Sequence, residues 1–166
     1  MAMYFSMCDV MQTAVGIEEN GEKLYSALAG KMKSAAVKKM FIALGKEEQA
    51  HIGKFQDIYN AVEKKPLVCE FDNETIAYIK ALSAEVFSEA KFKAIIKKKG
   101  LAEKDAVQYA IDFEKNTMLF FREIRDLVEL HDAKVIDAML GEEKTHLVKL
   151  LAVKNKAGAK PAGKKK

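Results

Sequence analysis

The 166-residue chain contains no tryptophan, two prolines, two cysteines and three histidines. So few prolines leave long stretches without a helix breaker, and Ala, Lys, Glu, Leu and Met fill them, all strong helix formers. No segment alternates apolar and polar residues up to a hairpin turn, so strands are not expected. Cys8 and Cys69 stand alone with no Cys-x-x-Cys pair, which argues against a disulfide scaffold or a thiolate metal site and favours a reducing cytoplasm. Residues 1–15 are fairly apolar but lack a basic start, and Asp9 and Gln12 interrupt them. Neither a secretory signal nor a membrane span is expected there.

Charge of one sign is scarce except at one end. The formal net charge is +4, but residues 154–166 hold six lysines and no acid, and without them the charge is 4 − 6 = −2. This segment also carries Gly, Ala and Pro161 and reads as a disordered, solubilising tail after a domain spanning 1–153. Neither a nucleic-acid nor a membrane partner is expected. The basic run Lys91–Lys99 reads as an amphipathic helix with its lysines turned to solvent.

Against this background two of the three histidines fall in one pattern used twice. Glu18 is followed 30 residues later by Glu48-Gln-Ala-His51, and Glu114 is followed 29 residues later by Glu143-Lys-Thr-His146. Residues i and i+3 share a helix face, so each Glu-x-x-His presents a carboxylate beside an imidazole. Four carboxylates and two imidazoles make the ligand set of a two-metal site inside a helical bundle. The midpoint of Glu18 and Glu48 is residue 33, within the polar stretch Lys31–Ser34, so both glutamates sit about 22 Å from that turn. The midpoint of Glu114 and Glu143 falls just before a break expected at Leu130-His131-Asp132. In each antiparallel hairpin the paired ligands therefore stand at one height.

The core stripes agree. They run Met11, Ala14, Glu18, Gly21, Tyr25, Leu28 and Met32; Phe41, Leu44, Glu48, His51, Phe55, Ile58 and Val62; Val107, Ile111, Glu114, Met118, Phe121 and Val128, with Ile124 replacing Arg125; and Ile136, Met139, Glu143, His146, Leu150 and Val153. Each candidate ligand takes an inward position, where an uncompensated charge would be costly and a divalent metal removes the objection. Tyr25 points inward near the site, either as a core residue or as support for a ligand. Glu22 is either such a support or an exposed charge, and His131 reads as a capping or surface residue. Between the hairpins, Lys64-Lys65-Pro66 ends one helix and Gly100 precedes another. Residues 72–84, capped by Asp72 or Asn73, and 86–99 read as short helices within a long crossover.

The segments Glu18–Tyr25, Glu47–His51, Ala110–Glu114 and Gly141–His146 together resemble the rubrerythrin-like branch of the ferritin-like di-iron superfamily. The resemblance implies an all-α, ferritin-like four-helix bundle holding two iron ions, one on Glu18 and His51, the other on Glu114 and His146, with Glu48 and Glu143 bridging. Iron is what the resemblance implies; the donor set alone also suits Mn(II) or Zn(II). Two departures stand out: Thr117 occupies the position of a further iron ligand, and the Cys-x-x-Cys pairs of a small iron domain are missing. The implied activity is oxidation of Fe(II) by peroxide or dioxygen, as in a peroxide reductase, with electrons from an external donor and a homodimeric assembly. The alternatives are a ferroxidase that stores iron and a metal-binding bundle without turnover.

Overall fold

In the computed structural model, residues 7–63, 71–127 and 130–158 are described. They form six helices: α1 (Met7–Lys31), α2 (Ala35–Glu63), α3 (Asn73–Val86), α4 (Glu89–Lys97), α5 (Glu103–Arg125) and α6 (Leu130–Gly158). No strand occurs among the described residues.

Three residues connect α1 to α2, so the two must run antiparallel. Ser34 starts α2, its carbonyl accepting from the Lys38 amide at 2.9 Å. The Ser34 amide in turn donates to Glu103 Oε1 at 2.8 Å, which ties the end of α1 to the start of α5. Lys154 near the end of α6 donates to Gln108 in the first turns of α5 at 2.7 Å. These ties make α5 antiparallel to both α1 and α6. The order around the bundle is α1, α2, α6, α5, with contacts between α1 and α5 and between α2 and α6 closing it.

The crossover packs its helices α3 and α4 against α1 and α5. Its first helix is capped by Asp72, whose carboxylate accepts from the Thr75 amide at 2.7 Å, one of the two expected caps. The second begins at Glu89 rather than residue 86, because Ser88 caps it through the Lys91 amide, and it ends at Lys97. Gly100 has φ +64°, a left-handed turn that admits α5. Phe87, between the two short helices, packs edge-on against Phe113 at 6.5 Å. This second covering explains why Ala106, Ala110, Phe113, Thr117 and Phe120 of α5 are buried beside the expected stripe, while Met118 is only half-buried.

The turn of the second hairpin lies earlier than the sequence suggests. Leu130-His131-Asp132 belongs to α6, and α5 stops at Arg125. Leu127 donates its amide to the Ile124 carbonyl at 3.0 Å, and Arg125 grips Asp137 with two 2.9 Å hydrogen bonds across the turn. Ile124 takes the core position in place of Arg125, as expected. At its other end α6 continues to Gly158, so residues 154–158 are helical rather than tail; residues 159–166 lie outside the described part. The side chains of Val62, Val128 and His131 lie outside it too, as do residues 64–70. No helix among the described residues is long and apolar enough to cross a membrane.

Candidate metal centre

Glu18 on α1, Glu48 and His51 on α2, Glu114 on α5, and Glu143 and His146 on α6 are each no more than 1% exposed. They sit where the apolar stripes of all four helices would otherwise continue, between Met11 and Ala14 on one side and Tyr25 and Leu28 on the other along α1. The packing of those flanking side chains, each worth about 1.5–3 kcal/mol when a large one is buried, holds the charged layer inside.

Two overlapping sets of ligand atoms form. Glu18, Glu48, His51 and Glu143 offer one atom each within 4.8 Å of one another, and so do Glu48, Glu114, Glu143 and His146. All six expected ligands are thus brought together, and Glu48 and Glu143 are common to both sets. The imidazole rings stack at 5.6 Å with 17° between their planes. His51 Nδ1 lies 3.2 Å from Glu18 and 2.9 Å from Glu143; His146 Nδ1 lies 3.0 Å from Glu143 and 3.4 Å from Glu114.

Among the described residues, buried polar atoms without a hydrogen-bond partner concentrate here: Glu18 Oε1, Glu48 Oε1, Glu114 Oε2, both Glu143 oxygens and His146 Nδ1. A protein interior rarely tolerates so many unsatisfied groups unless something binds them. Oxygen and imidazole donors in this number fit two divalent ions of the Fe(II), Mn(II) or Zn(II) kind.

The metal-free cluster balances its charge with protons. Burial pushes Glu18 well above the usual carboxylate range, helped by Glu48; burial does the same to Glu114, helped by the charge of Glu143. Burial also acts upward on Glu48 and Glu143, but close polar neighbours outweigh it and hold both below that range, Glu18 and the histidines for Glu48 and mainly the histidines for Glu143. Burial lowers the histidines, yet their carboxylate neighbours prevail: His51 is held far above its usual range and His146 is pushed up to about 12. The metal-free cluster thus favours the charged form of both histidines and of Glu48 and Glu143, and shifts Glu18 and Glu114 towards the neutral form.

Tyr25 supports a ligand from the opposite hairpin: its hydroxyl donates to Glu114 Oε1. Burial, then the charge of Glu114, keeps the phenol protonated and so a donor. Phe41 stacks on it at 5.9 Å, and Phe113 meets it edge-on at 6.3 Å. Gly21 faces Glu48; a Cβ there would lie 3.2 Å from Glu48 Cγ and from Phe113. Thr117 is buried with its hydroxyl unpartnered and brings no carboxylate. Glu22 is partly exposed and lines a surface groove with Ser26 and Lys38 instead.

A match to the rubrerythrin family covers residues 9–154. The chain belongs to the rubrerythrin family. A solved structure from Thermotoga maritima, described as ferritin-like and diiron-carboxylate, superposes with a TM-score of 0.71 at 24% identity, covering 93% of this chain and 97% of that one. That likeness shows the fold, a ferritin-like helical bundle. No functionally curated protein matches the sequence significantly.

Four residues around this rubrerythrin-type cluster were not anticipated. His51 Nε2 lies 3.0 Å from Glu142 Oε2, and Glu142 Oε1 accepts from Lys54 at 2.5 Å. On the other side His146 Nε2 stands 2.6 Å from Glu47 Oε2, close but without the alignment of a hydrogen bond, and Lys149 holds Glu47 at 2.8 and 2.9 Å. The available signal was a longer repeat, Glu-Glu-x-x-His-x-x-Lys, which reads 47, 48, 51, 54 and again 142, 143, 146, 149.

Proposed function

We propose that this protein is a di-iron oxidoreductase that reduces hydrogen peroxide to water at the expense of Fe(II), using electrons from an external donor. The observation that carries the reading is the pair of four-ligand sets sharing two buried carboxylates. Two Fe(II) ions held there supply two electrons to H2O2, which with two protons gives two H2O.

The chain's residues set the conditions for this. Glu18 and His51, and Glu114 and His146, would hold one ion each, and Glu48 and Glu143, common to both ligand sets, would serve both. Full burial keeps bulk water from the site. Tyr25 fixes one oxygen of Glu114 and keeps its proton at the hydroxyl, leaving the other oxygen free for a metal. The described helices place no thiol near the cluster, and the sequence has no Cys-x-x-Cys pair to carry electrons, which supports a separate donor.

The test is anaerobic loading with Fe(II) followed by stepwise addition of H2O2. Consumption of one H2O2 per two Fe(II), repeated after chemical re-reduction, supports the reading. Fe(II) that stays inert to peroxide contradicts it, and continued uptake of iron far beyond two ions per chain would favour storage instead.

A further inference from the structure

On a helix consecutive residues point about 100° apart, so a Glu-Glu pair cannot send both carboxylates to one place. In α6, Glu143 enters the core and Glu142 turns to the seam with α2; in α2, Glu48 enters the core and Glu47 turns to the seam with α6. Each turned-out carboxylate meets the imidazole of the opposite helix, at Nε2, on the far side of the ring from the ligand cluster. Each is anchored by a lysine three residues after that same imidazole, Lys54 after His51 and Lys149 after His146. The histidines are fully buried, whereas Glu47 and Glu142 have side chains 39% and 46% exposed.

We propose that Glu142 and Glu47 are positioning residues that hold His51 and His146, each from the other hairpin, with Nδ1 turned to the metal. This inference rests on the two-metal reading. A carboxylate on the remote nitrogen fixes the ring's rotation and leaves Nδ1 as the lone-pair donor, and it makes the imidazole a stronger donor. The lysine holds the carboxylate in the seam instead of letting it turn to water. Because the residue next to each bridging glutamate orients the histidine of the facing helix, neither hairpin can assemble its half-site alone. Docking of α2 on α6 and completion of both half-sites become one event.

The test is anaerobic Co(II) titration of the metal-free full chain, followed by the visible spectrum of the bound ion. Wild type should bind two Co(II). Glu142→Leu should weaken one of the two by about 10–100-fold, the usual cost of losing such a support, with helicity intact. A brace between helices and nothing more would lower the melting temperature without this loss. The deciding arm is the double variant: in a His51→Ala background, which keeps only the ion on His146, Glu142→Leu should change nothing further. Glu47→Leu with His146→Ala should behave as the mirror image. Wild-type affinity for both ions in Glu142→Leu and Glu47→Leu would overturn the inference while leaving the two-metal reading in place. A wild-type protein that binds no Co(II) would remove both.

Discussion

Glu18 on α1 and Glu114 on α5 begin the same ligand pattern, yet seven residues beyond them the chain has Tyr25 in one hairpin and Phe121 in the other. Both rings are fully buried. Tyr25 crosses the bundle to donate to Glu114, while Phe121 packs on Phe55 at 4.8 Å and offers Glu18 no donor. Three residues beyond the same glutamates stand Gly21 and Thr117, one making room for Glu48 and the other filling space without a charge. The two hairpins therefore supply equal ligands and unequal surroundings. Ligand identity and the Glu–Lys pairs behind the histidines are repeated along the chain; the residues three and seven positions beyond Glu18 and Glu114 differ, and they should make the two metals distinguishable.

Metal removal bears on the shared part of the comparison and should have the largest effect. Loading divalent ions should displace protons held by the raised histidines and carboxyl groups, so calorimetry in buffers of different ionisation enthalpy should show net proton release near neutral pH. The pH dependence follows in sign. His51 and His146 have raised values in the folded, metal-free protein, so their contribution to stability is complete below the usual 6.5 and is lost as pH rises towards the folded values. Glu18 and Glu114 behave alike from the lower starting point of 4.5. Glu48 and Glu143 have lowered values and lose their contribution only in acid. The rise in melting temperature on adding metal should therefore grow from pH 6 to pH 8. A constant or shrinking rise would mean that the site does not hold these protons.

Tyr25→Phe tests the difference between the halves. It should destabilise the metal-free protein by about 1–3 kcal/mol, the cost of leaving a buried partner unsatisfied. In the Fe(II) protein it should make the two iron signals in Mössbauer spectra more alike. Two signals unchanged by the substitution would show that Tyr25 does not set the asymmetry.

Gly21→Ala should be smaller. The added methyl presses on Glu48 and Phe113 at 3.2 Å, so affinity for the pair of metals should fall by about tenfold, or ~1.4 kcal/mol. Since Glu48 belongs to both sets, both ions should weaken together; loss of one alone would place Glu48 in a single half-site.

Arg125→Met should have the smallest effect. It breaks the partly exposed grip on Asp137, lowering the melting temperature slightly and leaving metal content unchanged. A fall in metal content would mean that the turn of the second hairpin governs ligand height.

The ligand layer was legible in the sequence because helix geometry converts spacing into position. The 30- and 29-residue intervals fix equal heights, and a Glu or His in an apolar stripe can only point inward. Tyr25 could be placed inward by the same stripe, but its partner across the bundle could not, since that depends on how the hairpins dock. Glu47 and Glu142 escaped because, judged by stripe alone, they look like solvent-facing charges beside a ligand; only the α2–α6 seam gives them a role. The second turn was misplaced because His131-Asp132 resembles a break, whereas the Arg125–Asp137 grip closes the turn earlier. The extra burial of α5 was missed because a crossover's covering face leaves no mark in a single helix's period.

Six residues from four helices are placed to hold two metal ions at one height. The most direct test of that placement is the metal count per chain after anaerobic reconstitution with Fe(II) and desalting, in wild type, His51→Ala and His146→Ala. Two ions are expected in the wild type and about one in each variant. One ion or none in the wild type, or two in both variants, would contradict it.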